Sequence, residues 1–244
     1  MKNLALLAIV SIAAQSAAWV PLTEGHIDLG LGYDAGNWDP HLHVHDGDLE
    51  YGTDEAYLSY GTTSRANRPS GAGWDFIGVG SGQQIWRNYT NNVAGIPWAG
   101  FGFEEIATGT FGSFVQTDPR RDPILGEWID LELVGYTSSN GGHISFFQGG
   151  GSAPTVWFAT SDGIDSTDRF ISTTGGHEHG SFAFTATGVY SITLRASAID
   201  LTSGNRIYSD NYTYWFGVEQ PVPEPATLIA VATGLVALAR RRRN

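Results

Sequence analysis

A short run of histidines is the part of the sequence best suited to chemistry. Residues 39–46 read Asp-Pro-His-Leu-His-Val-His-Asp, so His41, His43 and His45 alternate with apolar residues. In an extended strand, a period of two places the three imidazoles on one face and the apolar side chains on the other. Neutral imidazole is the commonest protein ligand for zinc. The run therefore predicts a metal-binding strand.

A second alternating pair supplies the best partners for this run. His177 and His179 lie in the sequence Gly-His-Glu-His-Gly. Side chains four residues apart on a strand stand roughly 13 Å apart, at about 3.3 Å per residue. We therefore expect any one metal to use only two of the first three histidines, together with ligands from elsewhere. His26 and Asp28, in Gly-His-Ile-Asp, are further candidate ligands.

The absence of cysteine limits the kinds of metal site. Without thiols the chain forms no disulfide and no thiolate site, so a metal must be held by His, Asp and Glu. Two imidazoles and a carboxylate at about 2.0–2.2 Å suit zinc, although copper or nickel bind the same groups. The alternative interpretation is that the alternating histidines form a solvated strand face without a metal.

The motifs of catalysis are missing from the sequence, so we predict that the protein is not an enzyme. It contains no cysteine nucleophile and no Gly-x-Ser-x-Gly elbow. Paired carboxylates such as Glu104 and Glu105 are expected in so acidic a chain. No His-Glu-x-x-His motif supplies a general base beside a metal. A metal-dependent hydrolase therefore stays a minor alternative.

The distribution of charge excludes nucleic acid as a partner. All 25 acidic residues lie between Glu24 and Glu224, and only 8 of the 13 basic residues lie in that span, which gives it a charge of about −17. Such a surface repels nucleic acid and anionic lipid and attracts cations.

Composition and periodicity predict an all-β fold. The chain has 32 glycines and 12 % aromatic residues, which is typical of many turns between aromatic-rich strands. Apolar residues alternate clearly in residues 190–196 and 212–218, and turn residues separate the short runs. We predict a single antiparallel β-sandwich, jelly-roll or immunoglobulin-like, over residues 19–221. Residues 71–82 are predicted as a strand edge, and residues 104–106 as the start of a short helix.

Tryptophan offers a different function for such a sandwich. Exposed indole rings stack on sugar rings, as in carbohydrate-binding modules, whereas buried ones pack in the core. We expect core packing for most of the candidates, which are Trp38, Trp74, Trp86, Trp98 and Trp128.

Both ends of the chain are predicted to be targeting segments. Residues 1–18 combine a lysine, an apolar run and small residues before Trp19, which is typical of a secretory signal peptide. Residues 222–244 contain Pro-Glu-Pro at 223–225, an apolar run at 226–239 and four terminal arginines. The apolar run predicts a short membrane helix. The arginines keep its far end in the cytoplasm, so the acidic body lies outside.

The tail resembles the PEP-CTERM sorting signal. The motif Pro223, Glu224 and Pro225, the membrane helix and the cluster Arg240, Arg241, Arg242 and Arg243 carry this resemblance. It implies processing near the Pro-Glu-Pro motif by an exosortase-type membrane protease, in an envelope that often makes exopolysaccharide. The body would then be exported to the cell envelope or surface, with transient membrane anchoring.

The body carries a second resemblance. Residues 176–185, continuing through Gly-Val-Tyr at 188–190 to the last alternating run, look like the surface-anchored repeat of actinobacterial cell-wall proteins. Residues 25–28 with the histidine run look similar to the other end of that repeat, which is associated with metal transporter genes. Together with the tail, the chain resembles PEP-CTERM proteins repressed by the zinc uptake regulator. This implies synthesis when zinc is scarce, and it brings no assignment of ligands.

These observations predict an exported zinc-binding protein that captures, buffers or delivers zinc, in contact with a zinc uptake system or exopolysaccharide. The candidate ligands are His41, His43, His45, His177 and His179, with His26 and Asp28 as weaker candidates. The alternative is an extracellular matrix protein, adhesin or carbohydrate-binding sandwich in which metal is incidental or structural.

Overall fold

Strands make up most of the secondary structure of the residues that the structure describes. The computed structural model describes residues 19–223, and residues 19–222 form a compact unit. Within the described residues, helix is limited to two short 3₁₀ segments, Thr62–Ser64 and Ala72–Ile77. The all-β prediction is therefore confirmed. The predicted signal peptide, the membrane helix, Glu224, Pro225 and the arginine cluster lie outside the described residues.

The strands of the described residues are numbered in chain order. They are β1 (Val20–Leu22), β2 (Gly25–Asp34), β3 (Asn37–Val44), β4 (Leu49–Gly52), β5 (Ala56–Tyr60), β6 (Arg65–Asn67), β7 (Gln84–Arg87), β8 (Pro97–Gly102), β9 (Phe114–Val115), β10 (Leu125–Gly126), β11 (Trp128–Ser138), β12 (Ile144–Gln148), β13 (Thr155–Ala159), β14 (Arg169–Thr173), β15 (His177–His179), β16 (Ser181–Phe184), β17 (Gly188–Ile199), β18 (Arg206–Tyr208) and β19 (Tyr212–Val218).

These strands form four sheets. The largest has seven strands, in the order β1-β5-β19-β17-β11-β14 with β18 beside β17. A five-stranded sheet has the order β13-β12-β16-β7-β6, and β9 pairs with β10. The remaining five strands, in the order β15-β8-β2-β3-β4, carry the candidate ligands and are called the histidine sheet. The finer assignment to a jelly-roll or immunoglobulin-like sandwich stays a prediction.

Not all of the pairing is antiparallel. Most ladders are, but β1 with β5, β5 with β19, and β2 with β8 are parallel. Parallel neighbours need a long connection rather than a hairpin. The chain between β2 and β8 provides one, since it runs through β3 to β7 before returning. This return brings β8 and later β15 to the edge of the histidine sheet.

One hydrophobic core joins the large sheets. Its buried members come from the histidine sheet (Leu29, Phe101), from the seven-stranded sheet (Ile192, Phe216) and from the other five-stranded sheet (Phe182). All five are at most 1 % exposed. The inner face of the histidine sheet is therefore fixed by the core, and the outer face is free to carry polar groups.

Two local predictions were wrong. Residues 71–82 were expected at a strand edge, but Ala72–Ile77 is a 3₁₀ helix. Its period of three places Trp74 and Ile77 inward, where they pack against Phe147. Residues 104–106 do not begin a helix but lie in a turn, closed where the Ile106 amide donates to the Phe103 carbonyl at 3.1 Å.

Most of the tryptophans considered for sugar stacking are core residues. Trp74, Trp86 and Trp128 are between 3 % and 6 % exposed, so they offer no face to a ligand. Trp98 is less buried, but its indole stacks on the His179 ring at 4.0 Å. Trp38 remains half-buried and packs against Phe111.

The two ends of the compact unit meet at a small satellite cluster. Trp19 and Val222 are both buried and pack with Tyr57 of β5. The Trp19 ring also contacts Trp215 edge-on, with centroids 5.7 Å apart. The chain therefore enters and leaves the body at one place. None of the helices within residues 19–223 has the length and apolar character needed to cross a bilayer.

Candidate metal centre

Alternation along β2 and β3 separates the candidate ligands from the core. On β2, Ile27 and Leu29 are at most 1 % exposed and belong to the core. His26 and Asp28 therefore point to the opposite, outer face. On β3, Leu42 is fully buried in the core, so His41 and His43 lie on the outer face as the alternation predicts.

Strand register then brings the ligands of different strands together. Asp28 of β2 is opposite His43 of β3 on one side and Gly100 of β8 on the other. His179 of β15 is opposite Gly100 from the far side. His179, Gly100 and Asp28 thus form one row, in which the middle residue has no side chain. This leaves His179 Nε2 only 4.0 Å from the Asp28 carboxylate.

Glycines make room for the polar groups of this face. An added methyl group at Gly102 would lie 2.9 Å from Asp28 Cβ, and one at Gly30 would overlap the His41 imidazole. Real Cβ atoms do not approach other atoms so closely, so side chains at these two positions would displace Asp28 and His41. The glycines are therefore part of the site.

Four side chains from three segments form the tightest group, called the Asp28 cluster. His26, Asp28, His45 and His177 each offer a ligand atom, and these atoms all lie within 4.8 Å of one another. Asp28 is at its centre and is only 1 % exposed. Its Oδ2 lies 3.0 Å from His45 Nε2, and its Oδ1 lies 3.6 Å from His26 Nε2.

The imidazoles of the cluster also contact one another. The His26 and His45 rings stack with centroids 3.7 Å apart. His179 adjoins the cluster, since its Nε2 lies 2.8 Å from His26 Nε2 and one of these nitrogens donates to the other. Trp98 packs on both rings and closes this side of the cluster.

Two carboxylates from the turn after β8 cover the outer face. Glu104 accepts a hydrogen bond from His177 Nδ1 at 2.5 Å, and its other oxygen lies 3.4 Å from His45 Nε2. Glu105 Oε1 lies 3.2 Å from His43 Nδ1. By accepting from Nδ1, Glu104 orients the His177 imidazole and leaves its Nε2 lone pair available to a metal.

The electrostatics of the face depend on the position of each imidazole. Burial, with the neighbouring rings of His179, His45 and His177, lowers the pKa of His26 to about 3. Burial also lowers the pKa of His179, although Asp28 opposes this shift. Burial acts in the same direction on His41, but the Glu105 carboxylate and the Asp39 carbonyl outweigh it and raise the pKa of His41. His26 is therefore neutral, the form that binds metals, well below neutral pH, and the lowered pKa of His179 favours the same form.

The strand that carries the second histidine pair is held from its inner side. Between His177 and His179, the Glu178 carboxylate accepts from Arg121 Nη2 at 2.7 Å and from Ser172 Oγ at 2.6 Å. Directly after His179, the Gly180 carbonyl accepts a hydrogen bond from the buried side-chain amide of Asn88 at 2.8 Å. These contacts fix β15 where the chain leaves the histidine sheet for the other five-stranded sheet.

The structure separates the predicted ligands into neighbouring groups. His26, Asp28, His45 and His177 come together, with His179 beside them. His43 and His45 share a group with Glu104, whereas His41 is grouped with Glu50 and Glu105. Three carboxylates of these groups, Glu50, Glu104 and Glu105, were not predicted as ligands.

The donor set of the outer face fits a divalent transition metal. Asp28 Oδ1, although buried, has no hydrogen-bond partner in the part of the chain that the structure describes. An unpaired buried carboxylate oxygen carries a desolvation cost that a bound cation would offset. Imidazole nitrogens and carboxylate oxygens from three segments of the chain lie around it, and they are the ligands that zinc prefers when no thiolate is present.

Comparison with known proteins bears on the tail of the chain. A family model described as the PEP-CTERM protein-sorting motif matches residues 221–243. No curated protein and no solved structure matches the chain. The chain therefore carries a PEP-CTERM sorting motif, which indicates export, sorting to the cell surface and processing by an exosortase.

Proposed function

We propose that this chain is an exported, envelope-associated zinc-binding protein that captures, buffers or delivers zinc under zinc limitation. The Asp28 cluster is the observation that carries the proposal. Its four ligand atoms come from β2, from the residue that follows β3 and from β15, and they converge within 4.8 Å. Segments distant in sequence thus contribute to one compact group of imidazoles and a carboxylate.

The geometry of the cluster supports zinc. Two ligands at about 2.0–2.2 Å from a tetrahedral ion stand roughly 3.3–3.6 Å apart. The contacts of Asp28 with His45 and His26, at 3.0 Å and 3.6 Å, are close to this spacing. Small movements of side chains would therefore admit the ion. Copper and nickel use the same donors, so the proposal concerns zinc first and these metals second.

The setting of the body supports a role in holding metal outside the cytoplasm. The sorting motif indicates the cell surface, and the excess of acidic residues attracts cations. In this proposal the apolar tail anchors the protein in the membrane until the exosortase acts. Zinc then passes to an uptake system, in line with the resemblance to proteins repressed by the zinc uptake regulator.

Zinc titration of the purified full chain tests the proposal. Asp28→Asn keeps the shape of the side chain but removes the central charge, so we expect zinc affinity to fall at least tenfold. Asp34→Asn, on the exposed end of the same strand, is the matched control and leaves affinity unchanged. Circular dichroism and thermal melting check that both variants fold. Equal zinc affinity in Asp28→Asn and the wild type would contradict the proposal.

A carbohydrate-binding function is the second candidate, and the surroundings of Trp38 favour it. Two open cavities of about 330 and 380 Å³ flank this half-buried indole, and Asn37 lines both. An indole beside amide and carboxylate groups is a common arrangement for sugars. If binding to an exopolysaccharide is lost in Trp38→Ala and persists in Asp28→Asn, the adhesin or matrix function is supported instead.

A further inference from the structure

His41 lies at the other end of the outer face from the Asp28 cluster. One nitrogen of its ring is fixed by a hydrogen bond, and the other has no partner among the described residues. Its Nδ1 lies 3.0 Å from the Asp39 carbonyl and donates a hydrogen bond to it. In the neutral imidazole, the Nε2 atom therefore carries the lone pair, and a bound cation would replace the proton that the nearby carboxylates favour there. The side chain is 6 % exposed, and Nε2 has no hydrogen-bond partner among the described residues.

Two carboxylates face this nitrogen. Glu105 Oε1 lies 3.8 Å from His41 Nε2, which is too far for a hydrogen bond but is a separation that a bridging ion spans. Glu50, on β4, completes the group, and the three ligand atoms lie within 4.8 Å of one another. Glu50 is opposite His43 in the register, so its side chain shares the outer face with His41.

We propose that His41, Glu50 and Glu105 form a second divalent-metal centre, separate from the Asp28 cluster. The choice of zinc as the ion at this second centre rests on the proposed function. Its one imidazole and two carboxylates are harder ligands than the three imidazoles and one carboxylate of the Asp28 cluster. It therefore binds zinc more weakly than the Asp28 cluster and accepts Mn²⁺ more readily.

The face keeps the two centres apart. His43 lies between them, since its ring is stacked on His45 at 4.3 Å and is 6.4 Å from the His41 ring, measured between centroids. His43 also contacts Glu105, at 3.2 Å from its Nδ1. The two ions thus have separate primary ligands, with His43 as the residue that touches both groups. We expect two zinc ions for each chain at saturation.

Equilibrium dialysis of the full chain against zinc, followed by metal analysis, tests the stoichiometry. The wild type is expected to hold two zinc ions at saturation and one at low free zinc. Glu105→Gln is expected to lose the weaker ion and keep the tighter one. Asp28→Asn is expected to keep only the weaker ion, and the double variant none. Glu132→Gln, a surface glutamate paired with Arg195, is the matched control and keeps both.

The outcomes distinguish the two proposals. If the wild type holds one zinc and Asp28→Asn removes it, only the second centre is overturned. If no zinc binds, the proposed function is overturned as well. Should Glu105→Gln fail to fold by circular dichroism, Glu50→Gln replaces it, since Glu50 is exposed. A fully folded Glu105→Gln or Glu50→Gln that still holds two zinc ions would also overturn the second centre.

Discussion

Glu104 and Glu105 are adjacent in the chain, yet their carboxylates contact different histidines. Glu104 contacts His177 at 2.5 Å and His45 at 3.4 Å, whereas Glu105 lies 3.2 Å from His43 Nδ1. The turn closed between Phe103 and Ile106 lets consecutive side chains spread over the same face. One turn thus supplies a carboxylate to the Asp28 cluster and another to the group that contains His41.

The first prediction separates the roles of these two glutamates. Glu104→Gln removes the charge that orients His177, so we expect zinc affinity at the Asp28 cluster to fall about 10–100-fold, as for other carboxylates behind metal-binding histidines. Glu105→Gln is the matched control and leaves the tight zinc unchanged. Competition with a chromophoric chelator measures both. Equal losses in the two variants would show that the turn acts only as a structural cover.

The histidine face illustrates what the sequence predicts and what it does not. The alternation of His41, His43 and His45 predicts a shared face, because the period of a strand is local. Partnership between this run and the pair at His177 and His179 was proposed from residue type alone. The contribution of Glu104 could not be predicted, because it depends on the parallel pairing of β2 with β8, which no local pattern encodes.

The second prediction concerns the inner side of β15. Glu178→Gln weakens the charged hydrogen bonds from Arg121 and Ser172, which are partly buried, and we expect a loss of about 1–3 kcal/mol in the free energy of unfolding. Zinc affinity should fall as well, because His177 and His179 flank this residue. Urea denaturation and zinc titration measure the two effects.

The control for Glu178 is another glutamate that pairs with an arginine. Glu132 contacts Arg195, but both side chains are well exposed, at 38 % and 40 %. Exposed ion pairs contribute little, so Glu132→Gln should cost less than about 1 kcal/mol. If the two variants lose the same stability and neither changes zinc affinity, then Glu178 does not position the histidine strand.

The third prediction is the pH dependence of the metal-free protein. The pKa of His26 is about 3 in the folded state and 6.5 in the unfolded chain. Between these values the unfolded chain binds the additional proton, so the free energy of unfolding falls as the pH decreases from about 6.5 to about 3. The lowered pKa of His179 acts in the same direction. The raised pKa of His41 acts in a different interval, since its contribution to stability is present below about pH 6.5 and is lost as the pH rises above that value.

Urea denaturation at several pH values, with chelator present, checks this dependence. The variant His26→Gln cannot titrate, so its stability should fall less steeply over the same interval. Because only neutral imidazole binds metal, zinc should also dissociate as the pH falls. The explanation fails if His26→Gln and the wild type lose stability with the same slope.

The fourth prediction tests the glycines of the outer face. In Gly30→Ala the added methyl group meets the His41 ring. We expect the free energy of unfolding to fall by about 1–3 kcal/mol. We also expect the variant to lose the more weakly bound zinc ion. Gly61→Ala is the control, because its φ of −82° suits alanine and no atom lies within 4 Å of the added carbon. Thermal melting and zinc stoichiometry measure the outcome, and unchanged stoichiometry in Gly30→Ala would contradict this role.

The 3₁₀ helix shows a different limit of sequence-based prediction. Glycines and aromatic residues in residues 71–82 indicated a strand edge. In the fold, Trp74 and Ile77 are three residues apart and turn to the same side, where they reach Phe147 of a strand far along the chain. A short segment of this kind adopts the backbone conformation that buries its aromatic side chains. That conformation depends on the tertiary surface that the segment packs against, which the local sequence does not encode.

The meeting of Trp19 and Val222 beside Tyr57 has a consequence for maturation. The predicted signal-peptide junction precedes Trp19, and the sorting motif begins at Val222 or next to it. If the predicted signal-peptide cleavage and the sorting cleavage take place at these junctions, both occur beside side chains that are already packed in one cluster. On this prediction, the two ends of the mature protein pack against the same aromatic cluster. Removal of the signal peptide and of the sorting tail would then leave the packed strands intact.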